Sequence, residues 1–415
     1  MRVLVLGSGG REDAVARSLS GGNEVFVLPG NGGTASYAVN LPGSVMDKDR
    51  VLEAARENSI DYVVVTPDDP LAAGLVDHLS GHGFKCFGPD SKAARIESSK
   101  VFAKELMKKY SIPTASYEVF TDPSEAIGYL ESQSYPVVIK ADGLALGKGV
   151  IIAEDRETAV SAIEEMLSGK RFGNAGKRIV IEEFLTGPEV TVLSFTDGKT
   201  VVPMVSSMDH KRAYDGDKGP NTGGMGVIAP NPFYTDKIAK ECMDTIFLPT
   251  IKAMDQEGCP FKGCLYFGLM LTPNGPKVIE YNSRFGDPEA EAVLPLLESD
   301  LLSVMLATTE GTLKAEDVVF SKKASAVVVA ASGGYPGSYE KGKEITVGDI
   351  GDARLYIAGA SLRGGKLYTS GGRVLCVQAS ADTLPQALGK AYEGIKAVSF
   401  EKMEYRTDIG RRALG

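Results

Sequence analysis

Glu280, Asn282 and Arg284 stand two residues apart in the stretch "PKVIEYNSRFGDPEAE". On an extended chain alternate side chains share a face, so all three project to one side. A carboxylate and an amide oxygen are hard donors. Mg2+ takes one or two such protein oxygens and leaves its other positions to water and substrate phosphates. The pair therefore suits a nucleotide-bound metal, and the guanidinium fork beside it suits a carboxylate or phosphate gripped through two bonds. A strand with one solvated polar face would give the same pattern.

Three glycine-bearing stretches could meet anions. The run "DHKRAYDGDKGPNTGGMG", residues 209–226, mixes charged side chains and glycines without periodicity. Loops of that length inside a compact domain are usually functional, and the N–H groups of "GPNTGGMG" are free to wrap an anion. In "YPVVIKADGLALGKGVIIAE", residues 135–154, only three residues separate Gly143 from Gly147, and Gly149 stands where the helix-opening phosphate loop needs a hydroxyl. β-rich runs on both sides make this stretch a hairpin whose lysines and glycines could cover a phosphate. The N-terminal "LVLGSGGRED" places a glycine turn between strand and helix, where a phosphate meets the helix's positive end. Glu12 occupies the third glycine position of the dinucleotide fingerprint, and "VFVLPGN" ends without the acid that would hold a ribose, so the turn favours some phosphate over NAD.

These residues need a scaffold of several domains, and 415 residues suffice for two to four. Residues 1–98 alternate short apolar strands with helical stretches, which predicts a parallel α/β sheet of Rossmann type with ligands at the carboxyl ends of its strands. A lysine-rich helix from Ser99 ends before Pro113. The hairpin, a helix from Asp155 to Leu167 closed by Gly169, and the strand "KRIVIEEFL" form a small unit over 114–185. Residues 99–113 and 186–319 form a β-rich centre, and 320–415 a last mixed domain with a helix at "LPQALGKAYEGIKAV", Pro336 marking a structural turn. The fold class is thus multidomain, α/β with α+β.

Composition is that of a soluble globular protein, 43% hydrophobic and 24% charged. A net charge of −9 excludes a generic nucleic-acid surface and leaves small anionic ligands to local basic clusters. Five widely spaced cysteines support neither disulfides nor zinc, and no apolar run reaches the 18 residues a bilayer span needs. The N-terminal apolar run is too short for a secretory signal, so a cytoplasmic enzyme is expected. Three histidines leave little material for histidine-driven acid–base chemistry.

Together "GSGGRE", "GNGGTA", "VIKADGLALGKGV", "IEEFLTGPEV", "DHKRAYDGDKGPNTGGMG" and "EYNSRFGDPE" resemble the phosphoribosylamine–glycine ligase (glycinamide ribonucleotide synthetase) family of the ATP-grasp superfamily. The resemblance runs from Met1 to "YRTDIG" at 405–410. It implies a pre-ATP-grasp N-terminal domain, an ATP-grasp fold of two subdomains and a small C-terminal domain. The implied reaction joins glycine to 5-phosphoribosylamine at the expense of ATP, through glycyl phosphate, in the second step of purine synthesis.

The resemblance implies roles for individual residues. ATP would be held by Lys100, Lys140, Gly143, Gly147, Lys148, Gly149, Glu182, Glu183, Phe184, Leu185 and Glu189, with Glu280 and Asn282 on Mg2+ or Mn2+. Gly9, Gly10, Arg11, Glu12, Asn31, Gly32 and Gly33 would contact phosphoribosylamine. Asp209, Thr222, Gly223, Gly224, Gly286, Asp287 and Pro288 would complete the substrate site, with Arg284, Asn221 and Lys211 as catalytic groups. The family implies a monomer without nucleic-acid or membrane partners, and the hairpin at 140–150 is expected to close as a lid over the acyl phosphate.

The chain departs from the family at two places. Asp13 stands where histidine is usual, and is expected to repel a phosphate at that helix end. "VTPDD" places Thr66 and Asp68 where "VGPE" is common. Other readings are an ATP-grasp ligase with another amine acceptor, an NAD-dependent oxidoreductase drawing on "GSGG", and a non-catalytic nucleotide sensor.

Overall fold

The structure is a computed structural model describing residues 1–144, 149–168 and 173–414. Its N-terminal sheet is fully parallel, in the order Val39–Asn40, Glu24–Pro29, Arg2–Gly7, Tyr62–Val65, Lys85–Phe87. Alternation along Arg2–Gly7 sends Val3 and Val5 into one buried cluster with Ala14, Val15 and Leu19 of the helix Gly10–Leu19. Leu4 and Leu6 join Val51, Leu52 and Leu75 on the opposite face. The sheet is therefore covered on both sides, as continuous apolar strands require, and its carboxyl ends carry the "GSGG" and "GNGG" turns.

The central sheet is antiparallel, in the order Val201–Pro203, Glu189–Asp197, Lys262–Thr272, Gly275–Asn282. The helices Lys100–Lys109 and Leu248–Gln256 pack on it through Leu106, Met107, Ile251 and Met254. Ser99 caps the first of these by accepting from the N–H of Phe102 at 3.1 Å. A register shift beside Gly268 leaves Ile279 as an extra residue, since Gly268 opposes Glu280 and Leu269 opposes Val278. Bulges of this kind re-aim side chains next to ligand sites.

The smaller sheet runs Tyr117–Phe120, Ile179–Glu183, Val137–Ala141, Val150–Ala153. The last two strands form the expected antiparallel hairpin, with Lys140 opposite Val150. Asp155 caps the helix Arg156–Leu167 by accepting from the N–H of Thr158 at 2.8 Å. Gly169 lies outside the described residues.

The C-terminal sheet reaches back into the middle of the sequence. Its order is Met208–Asp209, Gly226–Ala229, Ala324–Ser332, Arg373–Ala381, Arg354–Ile357, with the helix Leu384–Lys396 packed on it. The stretch 209–226, expected to lack periodic structure, thus leaves this sheet and returns to it. Between the two strands it folds into a hairpin of Arg212–Tyr214 and Lys218–Asn221. All five cysteines are buried and free.

Candidate active site

Lys140 sits on the hairpin strand Val137–Ala141 and points across to the central sheet. Its ammonium lies 3.0 Å from Glu182 and donates at 3.1 Å to the carbonyl of Ile279, the residue the bulge releases from the ladder. Glu182 is also 3.0 Å from Lys104, whose Nζ donates to the Thr114 hydroxyl at 2.8 Å. Burial pushes Lys104 down to about 8, with Glu182 opposing the shift. The Glu182 carboxylate, expected to line an adenine, is thus committed to two buried lysines, because an unpaired ammonium is costly there. Glu183 turns outward to Lys277 at 2.8 Å and accepts from the N–H of Ser116 at 3.0 Å. Phe184 is exposed and Leu185 half-buried.

Lys100 opens its helix beside the same hairpin and donates to the Gly143 carbonyl at 3.3 Å. Burial lowers its affinity for a proton, with Glu280 opposing. Asp142 fixes this junction by accepting from Ser99 Oγ at 2.9 Å and from the N–H of Val101 at 2.8 Å, and by pairing with Arg178 at 2.6 Å. The carbonyl of Gly149 closes the hairpin on the N–H of Ala141 at 2.8 Å. Gly147 and Lys148 lie outside the described residues.

Glu189, Thr191, Asp209, Lys211, Tyr266 and Glu280 line one cleft at the edge of the central sheet. Lys211 lies 3.5 Å from Glu189 and 4.0 Å from Glu280. The negative charge of Glu189 raises Lys211 well above the ordinary lysine value, against burial. Burial pushes the Glu280 carboxyl up, but Lys211, Lys140, Lys100 and Arg284 together hold it below its usual range, so it is ionised at neutral pH. The hydrogen-bond network orients the Asn282 amide so that its nitrogen donates to Glu97 at 3.0 Å, which directs its oxygen away from that carboxylate. Asp209 has an enclosed oxygen with no hydrogen-bond partner, and burial beside Glu289 raises its pKa well above the ordinary value.

Arg284, expected to grip a substrate anion, instead grips Glu97 at 2.8 Å and the Phe285 carbonyl at 3.3 Å. A buried carboxylate needs a cation, and Glu97, which also accepts from the N–H and hydroxyl of Ser283, is enclosed with it. The next loop joins three parts of the chain. Asp287 pairs with Arg373 at 2.8 Å and accepts from the N–H of Arg11 at 3.3 Å. Arg373 also donates to the carbonyls of Gly223 at 2.7 Å and Asp287 at 2.8 Å. The Tyr335 hydroxyl, on the turn at Pro336, accepts from the N–H of Gly223 at 3.1 Å. Gly224 and Gly286 allow tight approach: a Cβ on Gly224 would meet Pro288 at 2.5 Å, and one on Gly286 would meet Glu289 at 2.3 Å. Asn221 is exposed on its hairpin, and Thr222 returns to Lys211.

The N-terminal turn is less open than its sequence suggests. Glu12 accepts from the N–H of Gly9 at 2.6 Å and from Arg11 Nε at 2.6 Å, so the carboxylate at the third glycine position caps its own helix. Asn31 is a staple: its oxygen accepts from Gly33 and Thr34 while its nitrogen donates to Ser8 at 3.0 Å and Ile357 at 2.6 Å. Gly32 donates to Ala360 at 2.8 Å. Gly9, Gly10 and Gly33 nonetheless face this junction, where a Cβ on Gly10 would strike Glu291 at 2.3 Å.

Of the departing residues, Asp13 and Thr66 are held by the sheets, whereas Asp68 is half-buried and its charge acts on Arg284 and Glu97. Asp13 is fully buried, accepting from the Tyr37 hydroxyl and, at 2.6 Å, from the N–H of Ile357. It ties the first helix to the C-terminal sheet instead of repelling a phosphate. Thr66 is buried and donates to the Leu6 carbonyl inside the sheet.

His210 sets a pH limit on the loop carrying Lys211. Its Nδ1–H donates to the Gly226 carbonyl at 3.1 Å and its Nε2 accepts from the N–H of Gly410 at 3.0 Å, so protonation breaks the second bond. Burial lowers its pKa to about 4. The neutral form therefore stabilises the fold fully above the unfolded value near 6.5, and this contribution is lost as pH falls toward 4, up to about 3 kcal/mol. Urea titrations over that range should show the loss, and His210→Gln should flatten it; an unchanged slope would refute the assignment.

Comparison with known proteins agrees along the whole chain. Residues 1–97 match the N domain of phosphoribosylglycinamide synthetase, 98–290 its ATP-grasp (A) domain and 325–412 its C domain. The phosphoribosylamine–glycine ligase of Halalkalibacterium halodurans is 46% identical over 100% of this chain and 97% of its own length. The human trifunctional purine biosynthetic protein adenosine-3 is 48% identical over 100% of this chain, which spans 42% of that protein. The crystal structure of phosphoribosylamine–glycine ligase from Thermotoga maritima superposes with a TM-score of 0.88 at 38% identity, covering 98% of this chain and 100% of that one. With all three domains matched in order, the chain belongs to the phosphoribosylglycinamide synthetase family of ATP-grasp proteins.

Proposed function

We propose that the chain joins glycine to 5-phosphoribosylamine with ATP, giving glycinamide ribonucleotide, ADP and phosphate. The observation that carries this reading is the cleft where Lys211 and Glu280 meet Glu189 while Lys100 and Lys140 approach Glu280 from the hairpin side. Four regions divide the work: 1–98 for the amine substrate, 99–113 with 186–319 for the reaction centre, 114–185 as the covering subdomain and 320–415 as support. The enzyme acts in the cytoplasm as a monomer, with neither nucleic acid nor membrane as partner. Among the described residues no helix is long and apolar enough to cross a membrane.

Glu280 and Asn282 fit a divalent cation. One presents an ionised carboxylate, and the other an amide oxygen turned away from Glu97. Mg2+ or Mn2+ held there would neutralise phosphate charge. Lys100 and Lys140 then face ATP oxygens, and Glu189 the ribose. Lys211 lies where charge develops when glycine's carboxylate oxygen bonds to the γ-phosphorus and ADP departs. The amine of phosphoribosylamine next bonds to the glycyl carbon and phosphate leaves. No enzyme nucleophile is needed, and the residues contribute orientation and fixed charge.

The deciding measurement is ADP release with glycine present, with and without phosphoribosylamine. Strong stimulation by the amine, with glycinamide ribonucleotide identified as product, is expected. Equal release in both arms sinks the reading, and stimulation by another amine alone transfers it to a sister ligase.

A further inference from the structure

The signature "YRTDIG" at 405–410 lies in the last strap of the chain, and no step of the proposed reaction uses it. We propose that Arg406 is a positioning residue for Lys211, holding in place the hairpin that delivers this lysine to Glu280.

Arg406 is only 1% exposed. Its guanidinium donates to the Arg212 carbonyl at 3.1 Å, to Asp217 at 3.0 Å and to Asp408 at 2.8 and 3.0 Å. Asp408 in turn accepts from the N–H of Gly216 at 2.8 Å, and the N–H of Thr407 donates to Asp215 at 2.8 Å. On the other side of Lys211, His210 accepts from the N–H of Gly410 at 3.0 Å. Both chain neighbours of Lys211 are therefore fastened to residues 406–410. Lys211's own carbonyl is taken by the N–H and hydroxyl of Thr222 at 2.7 and 2.9 Å.

A lysine needs such support. Its ammonium is a point charge on four rotatable carbons and fixes nothing by itself, whereas a guanidinium fork sets both direction and distance for the groups it binds. Lys211 stands 4.0 Å from Glu280 with its backbone in a hairpin whose outer residues are exposed. Displacement of a charged group by about 1 Å is enough to cost on the order of a hundredfold in rate. Arg406 fixes the backbone, so the stem needs only to extend.

The inference rests on the proposed ligase reading, which the two-substrate assay tests on the unaltered enzyme. A double-mutant cycle tests the coupling alone. Arg406→Lys should lower kcat about tenfold and leave the KM for ATP within about twofold. Lys211→Ala should lower kcat about a hundredfold. If Arg406 acts through Lys211, the double variant falls within about twofold of Lys211→Ala alone. Losses that multiply would overturn the proposal, as would an Arg406→Lys effect confined to melting temperature. Should Arg406→Lys fail to fold, Thr407→Val, which removes one hydroxyl bond to Asp215, enters the same cycle with the same two outcomes.

Discussion

Glu280→Gln should lower glycinamide ribonucleotide formation about a thousandfold and shift the melting temperature by no more than about 5 °C. Three lysines and Arg284 surround this carboxylate and keep it ionised despite the desolvation that opposes its charge. The substitution keeps the shape and an oxygen but removes the charge, so a divalent cation loses its strongest donor and Lys211 loses an anionic neighbour. The fold changes little because the side chain is 35% exposed and the strand Gly275–Asn282 keeps its ladder. Coupled measurement of ADP release, with a metal titration, separates the causes. Partial recovery at high Mg2+ or Mn2+ supports a ligand role, and a rate within tenfold of the unaltered enzyme refutes it.

The sequence exposed whatever depended on near neighbours. The alternating apolar strands, the helix starting near Ser99, the cap at Asp155 and the pairing of the strands that flank the glycines after Lys140 all follow from local spacing, and all stand in the structure. Glu280 and Asn282 were legible because a strand's period is short. Residues acting across long separations left no such signal. Glu97 meets Ser283 at a separation of 186 residues, Lys104 meets Glu182 from another subdomain, and Arg373 reaches Gly223 across 150. Direction was equally hidden. Position beside a glycine turn suggested that Asp13 and Glu12 face a ligand, whereas burial turned one to Ile357 and the helix terminus drew the other to Gly9. The hairpin inside 209–226 escaped notice because its hold comes from residues 406–412.

Glu97→Gln should destabilise the protein by about 3 to 5 kcal/mol and also reduce turnover, although Glu97 touches no substrate in the proposed reaction. Glu97 lies at the end of the helix Ser91–Ser98 and binds Arg284 at 2.8 Å, the N–H and hydroxyl of Ser283 at 2.7 and 2.8 Å, and the Asn282 amide nitrogen at 3.0 Å. Loss of its charge strands a guanidinium that is itself largely enclosed, which sets the stability cost. Loss of the carboxylate oxygen facing Asn282 also frees that amide to rotate, so the oxygen proposed for the cation is no longer held in one direction. The two effects separate in the double variant Glu97→Leu with Arg284→Met. An apolar pair of similar volume should restore at least half of the lost stability in urea titration, since the desolvation cost of both charges disappears. Turnover should stay depressed, because nothing then orients Asn282 and Glu280 has lost one of the four cations that keep it ionised. Recovery of activity in step with stability would show that Glu97 supports only the fold.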